Sequence, residues 1–396
     1  MLPIQKTAIA VALLFMSLVP ALSFSQSNDS ITIGHVKKIQ SKILGEERTL
    51  YIRTPAKMRV NETYPVLYIM DGEMFTEMAS GQVQYLSDAY RIIPSMIVVG
   101  IANTDRTRDL TPTHFNLGPD GKEDTSANAF GKRSGGGEKF LQFLKQEVMP
   151  YVEKQYQAGP YKTLAGHSLG GLMAVYCMVN HPDYFNAYIA ISPSLQWDRE
   201  VMLQQVADKL NANSISNKFL FFSDANEGTA FHANQLKLDS ILKVKNIAGL
   251  KYKYIYYPDE THTSEPVKAL YDGIRLVYPE WHLTYNNAFR QKVNSTIIKD
   301  HYSKLSAMYG YKVIPLQDEI TAVARFLRND PKRINDAIDI LQTYIPSYPD
   351  AANLPELLGD VYLKAGDTKN ALTSYEKALK IDPKNEAVQQ KMKQLK

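Results

Sequence analysis

The stretch Tyr161-Lys162-Thr163-Leu164-Ala165-Gly166-His167-Ser168-Leu169-Gly170-Gly171 decides the fold. Five strand-forming residues (YKTLA) run into Gly-His-Ser-Leu-Gly, and the following residues, 171–180, predict a helix. So sharp a turn from strand to helix forces the serine into strained backbone geometry, and the flanking glycines let the chain approach itself. The turn holds the Ser168 hydroxyl over the edge of a sheet, at the positive end of a helix. Gly-x-Ser-x-Gly alone is a weak pattern. Strand, elbow and helix in that order make Ser168 a candidate nucleophile.

The flanking sequence supports this placement. YPVLYIM (64–70), SMIVVGI (95–101), AYIAI (187–191), KFLFF (218–222) and KYKYIYY (251–257) are further strand-like runs ending at polar turns. Between them lie amphipathic stretches such as 138–156, with Phe140, Phe143, Leu144 and Val148 at helical spacing. Apolar strands separated by helices predict an α/β fold with a largely parallel sheet covered on both faces. Residues 32–53 predict an antiparallel lead-in pair, because RTLYIR (48–53) alternates.

A serine hydroxyl needs a base to take its proton. Of the eight histidines, His262 lies in a polar loop directly after the last expected strand, where such a fold places its base. His35 precedes the sheet, His282 and His301 lie in the helical tail, and His181 caps a helix before Pro182. His167 neighbours the nucleophile and points sideways, where it shapes the pocket. His232 lacks the right placement; His114 does too, but could line the substrate site. The orienting acid should follow KFLFF and precede His262, and both Asp224 and Glu227 are available in what reads as a loop. An oxyanion hole needs backbone N–H groups. The fold would supply them from Leu169 and from the turn Asp71-Gly72-Glu73.

YPVLYIMDG, IVVGIANTDRTRDLTP, GGGEKFLQFLKQEVMPYVEKQY, AGHSLGG and ISPSLQW together resemble the putative esterase family, over about residues 30–280. That family includes enterochelin and other siderophore esterases, esterase D-like enzymes and secreted carbohydrate esterases. The resemblance implies an α/β-hydrolase fold, Ser168 as nucleophile and His262 as base. It favours Glu227 over Asp224 as the acid, and matches Asp71 and Gly72 to the oxyanion turn. It gives Arg106 and Arg108 a structural ion pair or a contact with a polar substrate. Trp197 would wall the pocket. Residues 111–137, rich in glycine, are long enough for a lid or are a surface loop. The expected reaction is two-step acyl transfer from a siderophore or carbohydrate-linked ester, without a cofactor. Neither a phosphate-binding loop nor a His-Glu-x-x-His metal motif is present. An acyltransferase on the same fold, and a non-catalytic binding protein working through its tail, are the alternatives.

The bulk properties set the frame. A chain of 396 residues suggests more than one folded unit. A net charge of +4, with basic and acidic residues interspersed, points away from nucleic acid. A single cysteine, Cys177, excludes an internal disulfide and any multi-cysteine metal site, and reads as a core residue. Residues 1–25 read as a signal peptide, cleaved near Ser23 or Ser25, so the mature chain is expected outside the cytoplasm, in the periplasm or beyond, without a membrane span. Residues 281–317 read as a helical linker. In 318–396 Ala337, Leu341, Tyr344 and Pro349 recur 34 residues later as Ala371, Tyr375, Ala378 and Pro383, and 352–385 resembles a tetratricopeptide repeat. Arg325 stands where that repeat usually has glycine. Too few units for a free-standing array, these helices are expected to pack on the hydrolase region, or to bind a protein partner or another copy of the chain.

Overall fold

A computed structural model describes residues 31–59, 62–118, 120–212, 215–281, 283 and 287–395. The expected signal segment and His282 lie outside them. Contacts divide the chain at Gly34, and the unit Gly34–Lys396 contains everything that follows.

YPVLYIM forms β3 (Tyr64–Met70), with all seven residues buried. Alternation sends Val66, Tyr68 and Met70 into the core on one face of a sheet and Leu67 and Ile69 into the core on the other. This is why the run is continuously apolar. Parallel neighbours flank β3: β4 (Ile97–Ile101) pairs Val98 with Leu67, and β5 (Ala158–His167) pairs Thr163 with Leu67. Beyond β5 follow β6 (Ala187–Ile191), β7 (Lys218–Ala225) and β8 (Leu250–Tyr257), all parallel. On the other side β1 (His35–Ser41) and β2 (Glu46–Arg53) pair antiparallel, completing the order β1-β2-β4-β3-β5-β6-β7-β8. The expected α/β-hydrolase fold is present. The two edges are β1 and β8, and on β1 the exposed Lys37 and Lys38 discourage further pairing.

Two expected boundaries move. The amphipathic stretch 138–156 is helical in Gly137–Phe143 and Met149–Gln155, with a π-helical turn Leu144–Val148 between them. β7 runs to Ala225, so Asp224 is a strand residue paired with Tyr256 of β8 and not part of a polar loop.

The tail helices pack on the sheet. One apolar cluster joins Leu67 and Ile69 of β3 to Ile298, Leu305 and Tyr309 of the helix Ser295–Tyr309, and to Leu341, Leu358 and Val361 further along. Tyr309 seats its ring edge-on against Tyr161 of β5 at 4.9 Å and near Tyr278 at 5.4 Å. The repeat-like segment is a helix pair, Asn353–Lys364 and Thr368–Ile381. A Cβ on Gly359 would stand 2.4 Å from the Tyr375 ring, so this close crossing requires glycine. Arg325, one period earlier, is exposed. Cys177 is fully buried in the core, where desolvation raises its thiol pKa well above the ordinary value.

Candidate active site

Everything singled out near Ser168 converges on the carboxyl ends of the parallel strands, where open α/β sheets place their ligands. β5 ends at His167, and Ser168 follows with φ 61° and ψ −115°, followed by the helix Leu169–Asn180. Such a left-handed non-glycine residue costs on the order of 1–3 kcal/mol and persists only where its surroundings enforce it. They do so here through close packing: a Cβ on Gly166 would lie 2.5 Å from the Gly170 carbonyl carbon. The Ser168 N–H donates to Ile191 O at 2.9 Å, and the Ser194 N–H donates to Ser168 O at 3.1 Å. The turn is therefore held from both sides by the end of β6.

Asp71, directly after β3, is the second strained residue, at φ 55°. It opens the helix Gly72–Gln84, whose first amides, Gly72 and Glu73, have no intrahelical acceptor. The Leu169 amide stands likewise at the start of its own helix. Amides from two helix starts can stabilise an oxyanion. Arg106 joins the two turns. Its Nε and Nη2 donate to the two Asp71 carboxylate oxygens at 2.7 and 3.0 Å, and Nη2 also reaches His167 O at 3.2 Å. Arg106 is thus a brace for the site, the structural ion pair of the two roles the resemblance offered it. Arg108 is occupied by Glu46 and Asp109. Replacing Arg106 by alanine should lower kcat about 100-fold, because loosened turns misplace the reacting groups. Lysine should not restore it, since an ammonium cannot make the bidentate contact. Steady-state kinetics with equal thermal melts would check this.

His262 follows β8, and its Nδ1 lies 2.5 Å from Glu227 Oε2. Burial pushes the Glu227 carboxyl up, but hydrogen bonds from His262 and Ser192 outweigh it and leave it below its ordinary value. Asp224 is turned elsewhere. Buried in β7, it accepts from Tyr254 Oη at 2.7 Å and bonds His232 Nδ1 at 2.6 Å. The structure therefore places Glu227, and not Asp224, on His262, and adds a second acid–histidine pair that the pattern of residues did not suggest.

The Ser168 hydroxyl bonds Ser194 Oγ at 3.2 Å, and no hydrogen bond joins it to His262 among the described residues. The Nε2 of His262 has no hydrogen-bond partner among the described residues. Catalytic hydrogen bonds commonly tighten only when substrate is bound. His167 stacks near His262, with ring centroids 4.3 Å apart. Burial, helped by the charge of His262, lowers its pKa to about 4, so it is neutral near pH 7.

Trp197 is 9% exposed, packed edge-on against Phe115 at 5.8 Å and Phe130 at 6.3 Å. Its N–H donates to Ser194 O and its indole N–H to Thr113 O, linking the elbow to residues 111–137. That segment is stapled at its base. Gly135 N–H donates to Thr111 Oγ1 at 2.7 Å, and the Gly136 and Gly137 amides donate to Arg108 O and Thr111 O. At its tip Phe130 is exposed. His114 is also exposed and bonds Ser134 at 3.3 Å. His181 bonds Glu138 and sits far along the elbow helix from Ser168. Sequence reasoning missed Ser192 and Ser194. Both lie in the ISPSLQW stretch, but a serine in a turn has no signal of its own. Among the described residues no group of His, Cys, Asp or Glu is placed to share a metal ion, and no helix is long and apolar enough to cross a membrane.

The family model described as Putative esterase matches residues 41–257, more than half of the chain. A TPR repeat model matches residues 359–391. Ferri-bacillibactin esterase BesA of Bacillus subtilis (strain 168) is 27% identical over 241 residues, 55% of this chain and 81% of the relative. Siderophore enterobactin esterase of Emericella nidulans is 34% identical over 123 residues, 28% of this chain and 39% of that protein. Among solved structures, an IroE-like serine hydrolase from Shewanella oneidensis superposes with a TM-score of 0.64 at 27% identity, over 84% of this chain and 99% of its own. That share exceeds what the sheet region alone can fill, so the likeness reaches into the helical tail.

Proposed function

Since the chain belongs to the Putative esterase family, we propose that it is an exported serine hydrolase that cleaves a siderophore-linked carboxylic ester through an acyl-enzyme on Ser168. One observation carries this assignment. A strained serine stands between two sets of free helix-start amides, and a carboxylate-bound histidine lies on the neighbouring loop. Ser168 Oγ would give its proton to His262 Nε2 as it attacks the ester carbonyl. Glu227 would steady the resulting imidazolium. The Leu169 amide and the Gly72 or Glu73 amide would take the oxyanion, each such donor contributing about 10²–10³ in rate. His262 would then protonate the departing alcohol, and water would release the acid by the same steps in reverse.

The siderophore class is supported by the two esterases whose names state such substrates. The exposed Phe130 beside Trp197 offers an aromatic wall next to the elbow, suited to flat acyl groups. Export rests on the signal-like residues 1–25, and the amino terminus of the mature protein tests it. The tail's TPR match suggests a protein partner. A panel of siderophore trilactones, feruloyl sugar esters and simple acyl esters, ranked by kcat/KM with products identified by mass, tests the activity. Trilactones should rank first, yielding free acid. Acyl transfer to an added alcohol as the main product, or no hydrolysis of any member, would overturn the proposal.

A further inference from the structure

Ser192 directly follows β6 in a left-handed conformation, φ 40°, and its N–H donates to Ser223 O at 3.0 Å. This holds its hydroxyl between two carboxyl groups. Ser192 Oγ is in hydrogen-bond contact with Glu227 Oε1 on one side and Glu265 Oε2 on the other. A hydroxyl carries one proton, and an ionised carboxylate can only accept. Ser192 can therefore donate to one of its two partners, and the other must be a carboxylic acid that donates to Ser192.

Their surroundings decide which. Glu227 accepts from His262 through its other oxygen, which favours the ionised form. Glu265 opens the helix Glu265–Val277 and is completely buried. No lysine or arginine bonds it among the described residues, and the polar side chains beside it are the neutral hydroxyls of Ser192 and Ser223. An unpaired buried charge is far more costly than a neutral acid, so the proton resides on Glu265.

We propose that Glu265 is a positioning residue for the Glu227–His262 pair: it donates to Ser192, Ser192 donates to Glu227 Oε1, and Glu227 Oε2 is thereby held on His262 Nδ1. Glu265 touches no reacting atom in this arrangement and acts through Glu227. The inference deepens the proposed serine mechanism and rests on it.

A pH dependence follows from the groups facing Glu265. Burial raises its pKa to about 7, with the negative charges of Glu227 and Asp224 acting in the same direction. Of the other groups around this cluster, His262 and His232 are engaged by Glu227 and Asp224, and the Tyr257 hydroxyl is engaged by Asp272. Below about pH 7 Glu265 is neutral and the chain of donors is intact. As pH rises through that value it ionises, and the single Ser192 proton must serve two carboxylates. Glu227 is then held less firmly on His262, which lowers the rate on the alkaline side.

Glu265→Gln keeps a neutral donor at every pH, and Glu265→Leu removes it. Hydrolysis of p-nitrophenyl acetate by the full chain, with kcat and KM resolved from mildly acidic to mildly alkaline pH, separates them. E265Q should keep kcat within about threefold of the wild type and lose the alkaline fall. E265L should lower kcat about tenfold or more at unchanged KM. An E265Q profile with the wild-type alkaline fall overturns the proposal, as does an E265L enzyme with wild-type kcat. If E265L does not fold, the near-isosteric E265Q decides alone. Fluorophosphonate labelling of the wild type, run alongside, keeps two failures apart. An unlabelled wild type fails the serine mechanism itself. A labelled wild type with unaltered variants fails only the role of Glu265.

Discussion

Replacing His262 by alanine is expected to lower kcat for ester hydrolysis on the order of 10⁴-fold or more, with KM little changed. Among the described residues, His262 is the imidazole beside the elbow that a carboxylate orients with its other nitrogen free, whereas burial lowers the pKa of its neighbour His167 to about 4. The His262 Nδ1 is taken by Glu227, and its ring packs against His167 at 4.3 Å. Without it Ser168 keeps its proton, which Ser194 cannot remove, since a neutral hydroxyl is no base. About a third of the His262 side chain is exposed, so the fold should survive. The rival base is His232, engaged by Asp224 on the neighbouring helix. A His262→Ala enzyme within tenfold of the wild type, with activity lost instead in His232→Ala, would reassign the base.

The two acids make the second large difference. Glu227→Gln should lower kcat about 10²–10⁴-fold, because the amide no longer fixes the imidazole tautomer or stabilises its charged form. Asp224→Asn should leave kcat within about tenfold, while unfolding free energy falls by about 1–3 kcal/mol as buried partners lose charge-assisted bonds. Those partners are His232 and Tyr254. Kinetics and urea unfolding on both variants separate the roles. Equal kinetic losses would place Asp224 in the same functional unit as Glu227.

The fold was legible because buried parallel strands leave unbroken apolar runs. YPVLYIM and AYIAI coincide with β3 and β6 residue for residue. The strand after them was not read to its end, since Ser223 and Asp224 look like turn residues. Only the pairing of Asp224 with Tyr256 shows that the strand continues and buries them. The tail was legible as helices, and its packing on the hydrolase region was one of the expected arrangements, which the sequence alone could not choose among. An apolar helix face shows that something covers it, not that the sheet does. Arg106 was visible as a residue to weigh, yet its bond to Asp71 spans 35 positions that no local period connects. Glu265 left no mark at all, because its meaning lies in a serine 73 residues away.

The most direct test is the reactivity of Ser168 itself. Treating the full chain with a fluorophosphonate and mapping the adduct by peptide mass spectrometry should give one modified residue, Ser168, lost in Ser168→Ala and strongly slowed in His262→Ala. An adduct on Ser192 or Ser194 with Ser168 untouched, or no adduct on a protein that still hydrolyses esters, would contradict a nucleophile at this elbow.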